Sequence, residues 1–201
     1  MDDHEAMTLG SLYNRLRLEL ENDRYPPGRR VQVSVASFCI VRDHHHAIAI
    51  LLDEGLYASA FALTRPLYEA AVKGMWLAHC ATESDAEKYA SGKELREIND
   101  LVDELLRSRL PALVSDQLKV IKRRYWKALS SLTHAGHAQV KRWLTPDGVG
   151  PKYTEVEVNE IANFTAFVAV VSALERARLG QNEKAMANIT LLLPMVESDQ
   201  T

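Results

Sequence analysis

Arg65, Glu69 and Lys73 recur every fourth residue in LYASAFALTRPLYEAAVKGMWLAHCA (56–81), a stretch that is otherwise almost wholly apolar or small. On a helix that spacing makes one polar stripe. A guanidinium oriented by a carboxylate one turn away forms a fork for an anionic ligand. The same pair exposed to water is a surface ion pair worth a few tenths of a kcal/mol, on the order of helix pairs in general. Arginine ahead of glutamate is the weaker order for a purely helical pair. Both readings stand on the residues alone, and Tyr68 beside Glu69 is counted with the candidate ligand-binding set.

Arg42-Asp43-His44-His45-His46 is a second polar insertion in an apolar helical stretch. Successive helical residues point about 100° apart, so three adjacent histidines cannot share one ion. Glu-x-x-His, which carboxylate-bridged bundles use, does not occur, and no metal site is expected. His45 reads as a hydrogen-bonded core histidine. Arg42, about one turn before it, extends the expected ligand-binding set to Arg65, Glu69, Tyr68, Arg42 and His45 in one shared pocket.

Lys127-Ala-Leu-Ser-Ser-Leu-Thr-His134-Ala-Gly-His137 carries the third group. His134 falls near a helix C-terminus, where the backbone dipole favours the charged imidazole. Lys127, Ser131 and His134 share a stripe. They read either as a helix end with solvated charge, or as a histidine acid/base beside a phosphate-binding cation. Between 115 and 145 there are seven basic residues and only Asp116 to oppose them, with Trp126 and Trp143 interleaved. That run reads as a solvated face docking on an acidic helix, or as a surface for RNA or another phosphate-bearing ligand. Nucleophile elbows, phosphate-binding glycine loops and zinc spacings are absent, so no cofactor is expected.

Helices must position these residues. Asp2–Glu5 has capping-box spacing, and Leu9, Leu12, Leu16 and Leu20 continue a helix to about residue 22, where Tyr25-Pro-Pro-Gly28 stops it. A second helix is expected over 30–54, closed by Gly55, and 56–81 should return antiparallel to it as the most buried helix. Pro66 should kink this third helix or mark its first turns. An acidic helix over 85–110, capped by Ser84 and Glu87, should lie outside, and another should run over 115–134. The stretch 137–153 reads as the longest and most mobile loop. Thr154 and Glu157 cap a helix to about Leu179, and a last one spans 182–196. The expectation is an all-α antiparallel bundle of about seven helices in a single domain over 1–201.

Composition agrees with that reading. The chain is 47% hydrophobic and 25% charged over 201 residues, as for one ordinary globular domain. The net charge of −3 gives no overall case for nucleic acid or anionic lipid. Cys39 and Cys80 read as buried hydrophobes in a reducing compartment. The acidic N-terminus is unlike a signal peptide, and no uncharged window of membrane-spanning length is expected. A cytoplasmic setting without membrane contact follows as an expectation. The helix over 154–179 is apolar on more than one face around NFTAFVAVVSAL. A peripheral helix needs only one apolar stripe, so a second subunit is expected on the other face.

ALTRPLYEA (62–70) and YWKALSSLTHAGH (125–137) together resemble bacterial all-helical domains of unknown function, themselves distantly similar to abortive-infection and HEPN-type proteins. The resemblance covers roughly residues 35–140 and implies a homodimer and a stress or phage-defence role. The HEPN ribonuclease signature pairs an arginine, followed by a polar residue, with a histidine. Here Lys127 and Ala128 stand at the first two positions and His134 at the last. The preferred reading is a homo-oligomeric binding or interaction module with a polar inter-helix pocket. The rival is a metal-independent ribonuclease using His134 with Lys127.

Overall fold

The computed structural model describes residues 7–134 and 136–194, with Arg124 and Tyr125 described in backbone only. The chain runs α1 (Leu9–Glu19), α2 (Arg29–Asp53), α3 (Tyr57–His79), α4 (Glu83–Ala90), α5 (Ile98–Arg107), α6 (Ala112–Val120), α7 (Trp126–Thr133), α8 (His137–Lys141), strands β1 (Leu144–Thr145) and β2 (Gly148–Val149), α9 (Glu155–Leu179) and α10 (Glu183–Thr190). A π-helical turn, Ile121–Tyr125, joins α6 to α7. The protein is mostly helical, as expected, and the two strands form one short antiparallel ladder with Leu144 opposite Val149.

The α2–α3 hairpin is the centre of the fold. Gly55 takes φ +70°, a left-handed turn that glycine tolerates without a Cβ clash, and the Leu56 amide donates back to the Leu51 carbonyl at 2.7 Å. Farther along, α2 and α3 approach so closely that a Cβ on Gly74 would come within 2.7 Å of the Phe38 ring. The Ser34 hydroxyl donates to the Gly74 carbonyl at 2.8 Å in the same place. α3 has twelve buried residues and α9 eleven, the most among the described helices, so these two are the core.

Pro66 lies inside α3 and supplies no amide to the Ala62 carbonyl. The hydroxyl of Thr133, at the end of α7, lies 3.1 Å from that carbonyl and 3.1 Å from the Leu129 carbonyl of its own helix, so its one proton is shared between them. A gap made by one proline thus fixes where α7 meets α3.

α9 begins with the expected capping box of Thr154 and Glu157. Every residue from Thr165 to Ala173 is buried, against α1, α2, α3 and α10 of the same chain. α9 is central rather than peripheral. Its apolar faces are therefore covered without a second subunit, and the premise of that expectation falls.

Other boundaries differ for local reasons. The expected helix over 85–110 is two, α4 and α5, because Gly92 turns left-handed at φ +91°. Thr82 and Asp85, not Ser84 and Glu87, make the capping box. The chain over 137–153 is ordered by α8 and the β1–β2 hairpin. Lys152 bonds Arg142 through the backbone, and Tyr153 donates to Gln139, whose amide donates to the Ala58 carbonyl. These splits raise the described helices from the expected seven to ten. The Asp2–Glu5 box lies outside the described residues, and Thr8 caps α1. Cys39 and Cys80 are half-buried free thiols. By length and composition alone, α2 and α9 are apolar enough to cross a membrane, with a third and a half of those windows buried in the bundle and charged residues in each.

Candidate functional site

Arg65 sits one residue before Pro66, where α7 docks. Its Nε donates to Glu69 Oε1 at 2.7 Å, the ion pair expected within the helix. Its Nη1 reaches across to α7, donating to Ser130 Oγ at 2.6 Å and meeting His134 Nε2 at 3.3 Å. The guanidinium carbon lies 4.7 Å from the centre of the Trp126 ring. A guanidinium can only donate, so a hydrogen bond at the His134 contact needs the Nε2 lone pair as its acceptor. The Arg65 and Glu69 side chains keep 20% and 25% exposure, so water or a ligand reaches the group.

Trp126, Ser130 and His134 fall four residues apart and share one face of the chain entering and leaving α7. The π-helical turn just before Trp126 shifts this face relative to α6. At the far end the chain folds back tightly. The Gly136 amide donates to the Ser131 carbonyl at 2.9 Å, and a Cβ on Gly136 would come within 2.6 Å of Ser131 Oγ. Thr133 on the Ala62 carbonyl sets the depth of α7 against α3, and so brings Ser130 and His134 within reach of Arg65. Chemically, the result is a fixed, partly neutralised cation beside an exposed imidazole and a flat indole.

The expected pocket therefore splits. Arg65, Glu69 and His134 converge, and Ser130 and Trp126 join them. Neither of these two is among the site residues expected from the sequence, although their spacing of four with His134 is readable there. The Ser131 hydroxyl is engaged elsewhere, accepting from the Ala138 amide at 3.2 Å. Lys127 is exposed and makes no ion pair among the described residues. Arg42 and His45 do not join Arg65. Arg42 pairs with Asp43 at 2.8 Å and lines, with His45, a cavity between α1, α2 and α9. The three histidines diverge: His45 is buried, His46 stacks on Tyr13 at 3.9 Å between ring centres, and His44 is half-buried. Among the described residues no group of three potential metal ligands comes together.

Tyr68 backs the site without entering it. Its ring centre is 6.1 Å from that of Trp126, and its buried hydroxyl has no partner among the described residues. Burial pushes its phenol pKa well above the ordinary value. It lines an apolar cleft of about 300 Å³ between α3, α6 and α9.

Much of the basic run is neutralised within the chain. Lys119 pairs with Asp116, Lys122 with Asp103 on α5, and Arg142 with Glu157 on α9. Arg123, Lys127 and Lys141 remain exposed. The docking onto an acidic helix is thus real for Lys122, while the outward charge is less than the sequence alone suggests.

These features define an all-α protein with a guanidinium-centred polar cluster half open to water. The chain belongs to a family of unknown function, DUF6988, whose model matches residues 38–195. The match takes in the whole Arg65 cluster and leaves out α1. Searches of curated proteins and of solved structures each found no match. No link to abortive-infection or HEPN-type proteins emerges from these comparisons.

Proposed function

We propose that the Arg65 cluster is a binding site for a phosphate-bearing ligand, RNA among them, and that the chain is a binding module without turnover. The observation that carries this reading is the single guanidinium held by Glu69 and Ser130, stacked on Trp126 and still open to water beside exposed His134. Oriented Arg donors and an aromatic face suit a phosphate next to a planar base. The exposed Arg123, Lys127 and Lys141 add long-range attraction in the same part of the chain. Equilibrium binding of unstructured RNA to wild type and Arg65→Ala tests it. The expected result is binding weakened at least tenfold with no cleavage by either protein.

One observation favours the ribonuclease reading. An arginine does stand beside His134, coming from α3 instead of from the helix that carries the histidine. Chelator-resistant RNA cleavage that His134→Ala abolishes, with RNA affinity retained, would establish that reading. A cytoplasmic setting is part of the proposal and rests on the two free cysteines.

The homo-oligomer is proposed on a different surface from the one that the pattern of α9 suggests. Ala36, Ile40, Asp43, Ala47, Ile50 and Glu54 form a heptad-like row on the side of α2 away from its buried residues, and Ile40 and Ile50 are half exposed. Light scattering should give a dimer for wild type and a monomer for the Ile40→Glu/Ile50→Glu double variant.

A further inference from the structure

A half-open cleft lies between α1, α2 and α9, with about 350 Å³ of empty space when the open solvent at its mouth is included. Most of its wall is apolar, from Leu16 and Leu20 on α1, Phe38 and Val41 on α2, and Ala169 on α9. Three polar side chains in that wall are unusually placed. His45 is 1% exposed, and its Nε2 has no partner among the described residues. Ser172 is 3% exposed, and its Oγ also has none. Arg176 is 9% exposed, and its Nε and Nη2 donate to the Tyr25 hydroxyl at 3.2 and 3.1 Å. No carboxylate pairs with Arg176 among the described residues.

Buried polar groups are almost always hydrogen-bonded, and buried guanidinium groups are almost always paired. Two orphaned polar atoms and a guanidinium linked to Asp23 only through the Tyr25 hydroxyl, lining one cavity, depart from both rules together. A ligand that is negative at one end and apolar along the rest would satisfy all of them. Arg176 would balance its charge, Ser172 and neutral His45 would each offer a donor, and the leucine, phenylalanine and valine wall would cover its body. The cations at the mouth, Arg17 and Arg42, already have their own acids in Glu21 and Asp43. They leave Arg176 as the charge that selects the ligand.

We propose that this cavity is a second binding site, separate from the Arg65 cluster, for a small organic carboxylate with an apolar body. The head is bound by Arg176, Ser172 and His45. The site is independent of the phosphate-binding reading above, since none of its residues touches Arg65.

Hexanoate serves as the probe, measured by calorimetry and thermal shift on the full chain. Hexanol is the matched body without charge, and inorganic phosphate is charge without body. Ser172→Val fills the cavity and removes no hydrogen bond seen in the structure, so the fold should be retained. Arg176→Gln removes the charge. The expected result is saturable hexanoate binding that raises the melting temperature, weakened at least tenfold by Ser172→Val and left unchanged by Arg65→Ala. Hexanol and phosphate should each bind at least tenfold more weakly than hexanoate. A folded Arg176→Gln should lose the preference for hexanoate over hexanol, and if that variant does not fold, Ser172→Val decides. The proposal is overturned if hexanoate does not bind, if hexanol or phosphate binds as well, or if Ser172→Val binds hexanoate like wild type.

Discussion

Single side chains in this protein matter through the company they are given. On the sequence alone, losing Glu69 strands a buried guanidinium, which costs on the order of 2 kcal/mol or more. In the structure Arg65 keeps Ser130, His134 and Trp126 as partners and is a fifth exposed. Glu69→Ala should therefore cost only about 1 kcal/mol in urea denaturation, closer to an ordinary charge-assisted bond than to an orphaned charge. A loss above about 3 kcal/mol would mean the other three partners do not hold the cation. His45 gives the opposite case. Burial, reinforced by neighbouring His46, lowers its pKa from 6.5 to about 4. The cations Arg17, Arg42 and Arg176 around the same cavity act in the same direction. Between those two pKa values the unfolded chain takes up a proton that the folded chain refuses. Stability is then complete above pH 6.5 and falls as the pH drops toward 4. At about 1.4 kcal/mol per unit, the loss is on the order of 3 kcal/mol. Unfolding free energies of wild type and His45→Leu, compared at about pH 7 and about pH 4.5, should show the extra loss in wild type alone, and parallel pH profiles would refute it.

At the scale of elements, the decisive contact is between the proline gap of α3 and the end of α7. Thr133→Val keeps the shape of the side chain but removes the donor to the Ala62 carbonyl. A half-buried acceptor that loses its share of one hydroxyl proton costs about 0.5–1.5 kcal/mol, and α7 should pull away from α3. Chemical denaturation should register the first effect. The second should appear as weakened RNA binding by the same variant, because Ser130 and His134 ride on α7. Unchanged binding in a destabilised Thr133→Val would separate the docking of α7 from the function of the Arg65 cluster. The opposite end of α3 is tied differently, by His79 Nε2 to Glu175 Oε2 of α9 at 2.9 Å. Burial raises the Glu175 carboxyl pKa, but His79 and Arg178 outweigh it and hold the group below its ordinary value.

Across the whole molecule, α3 and α9 share one contiguous core with residues from α1 to α10. Val168 is buried in that core. Val168→Glu should therefore unfold or aggregate the protein, with a loss above about 4 kcal/mol, because it buries an unpaired carboxylate. Circular dichroism should show a lowered melting temperature or lost helicity at every protein concentration. A folded, stable Val168→Glu monomer would restore the idea that α9 meets a second subunit.

The chain's own sequence determined what depends on neighbours within about one turn. Helix periodicity, the Thr154–Glu157 capping box, the Gly55 stop and the Arg65–Glu69 pair all belong to that scale. Gly92 shows its limit, since one left-handed residue divided an apparently continuous acidic helix. Tertiary structure decided everything that needed two distant faces to meet. Ser130 lies 65 positions from Arg65, and Thr133 lies 71 from Ala62. Arg42 and His45 share the polar character of Arg65 but leave it for another cavity, because α2 turns that side toward α1 and α9. A helix's pattern tells which side is buried, but not which neighbour buries it. That choice comes from the packing of the whole core, where one proline gap and one glycine contact set the positions of α7 and α2 on α3.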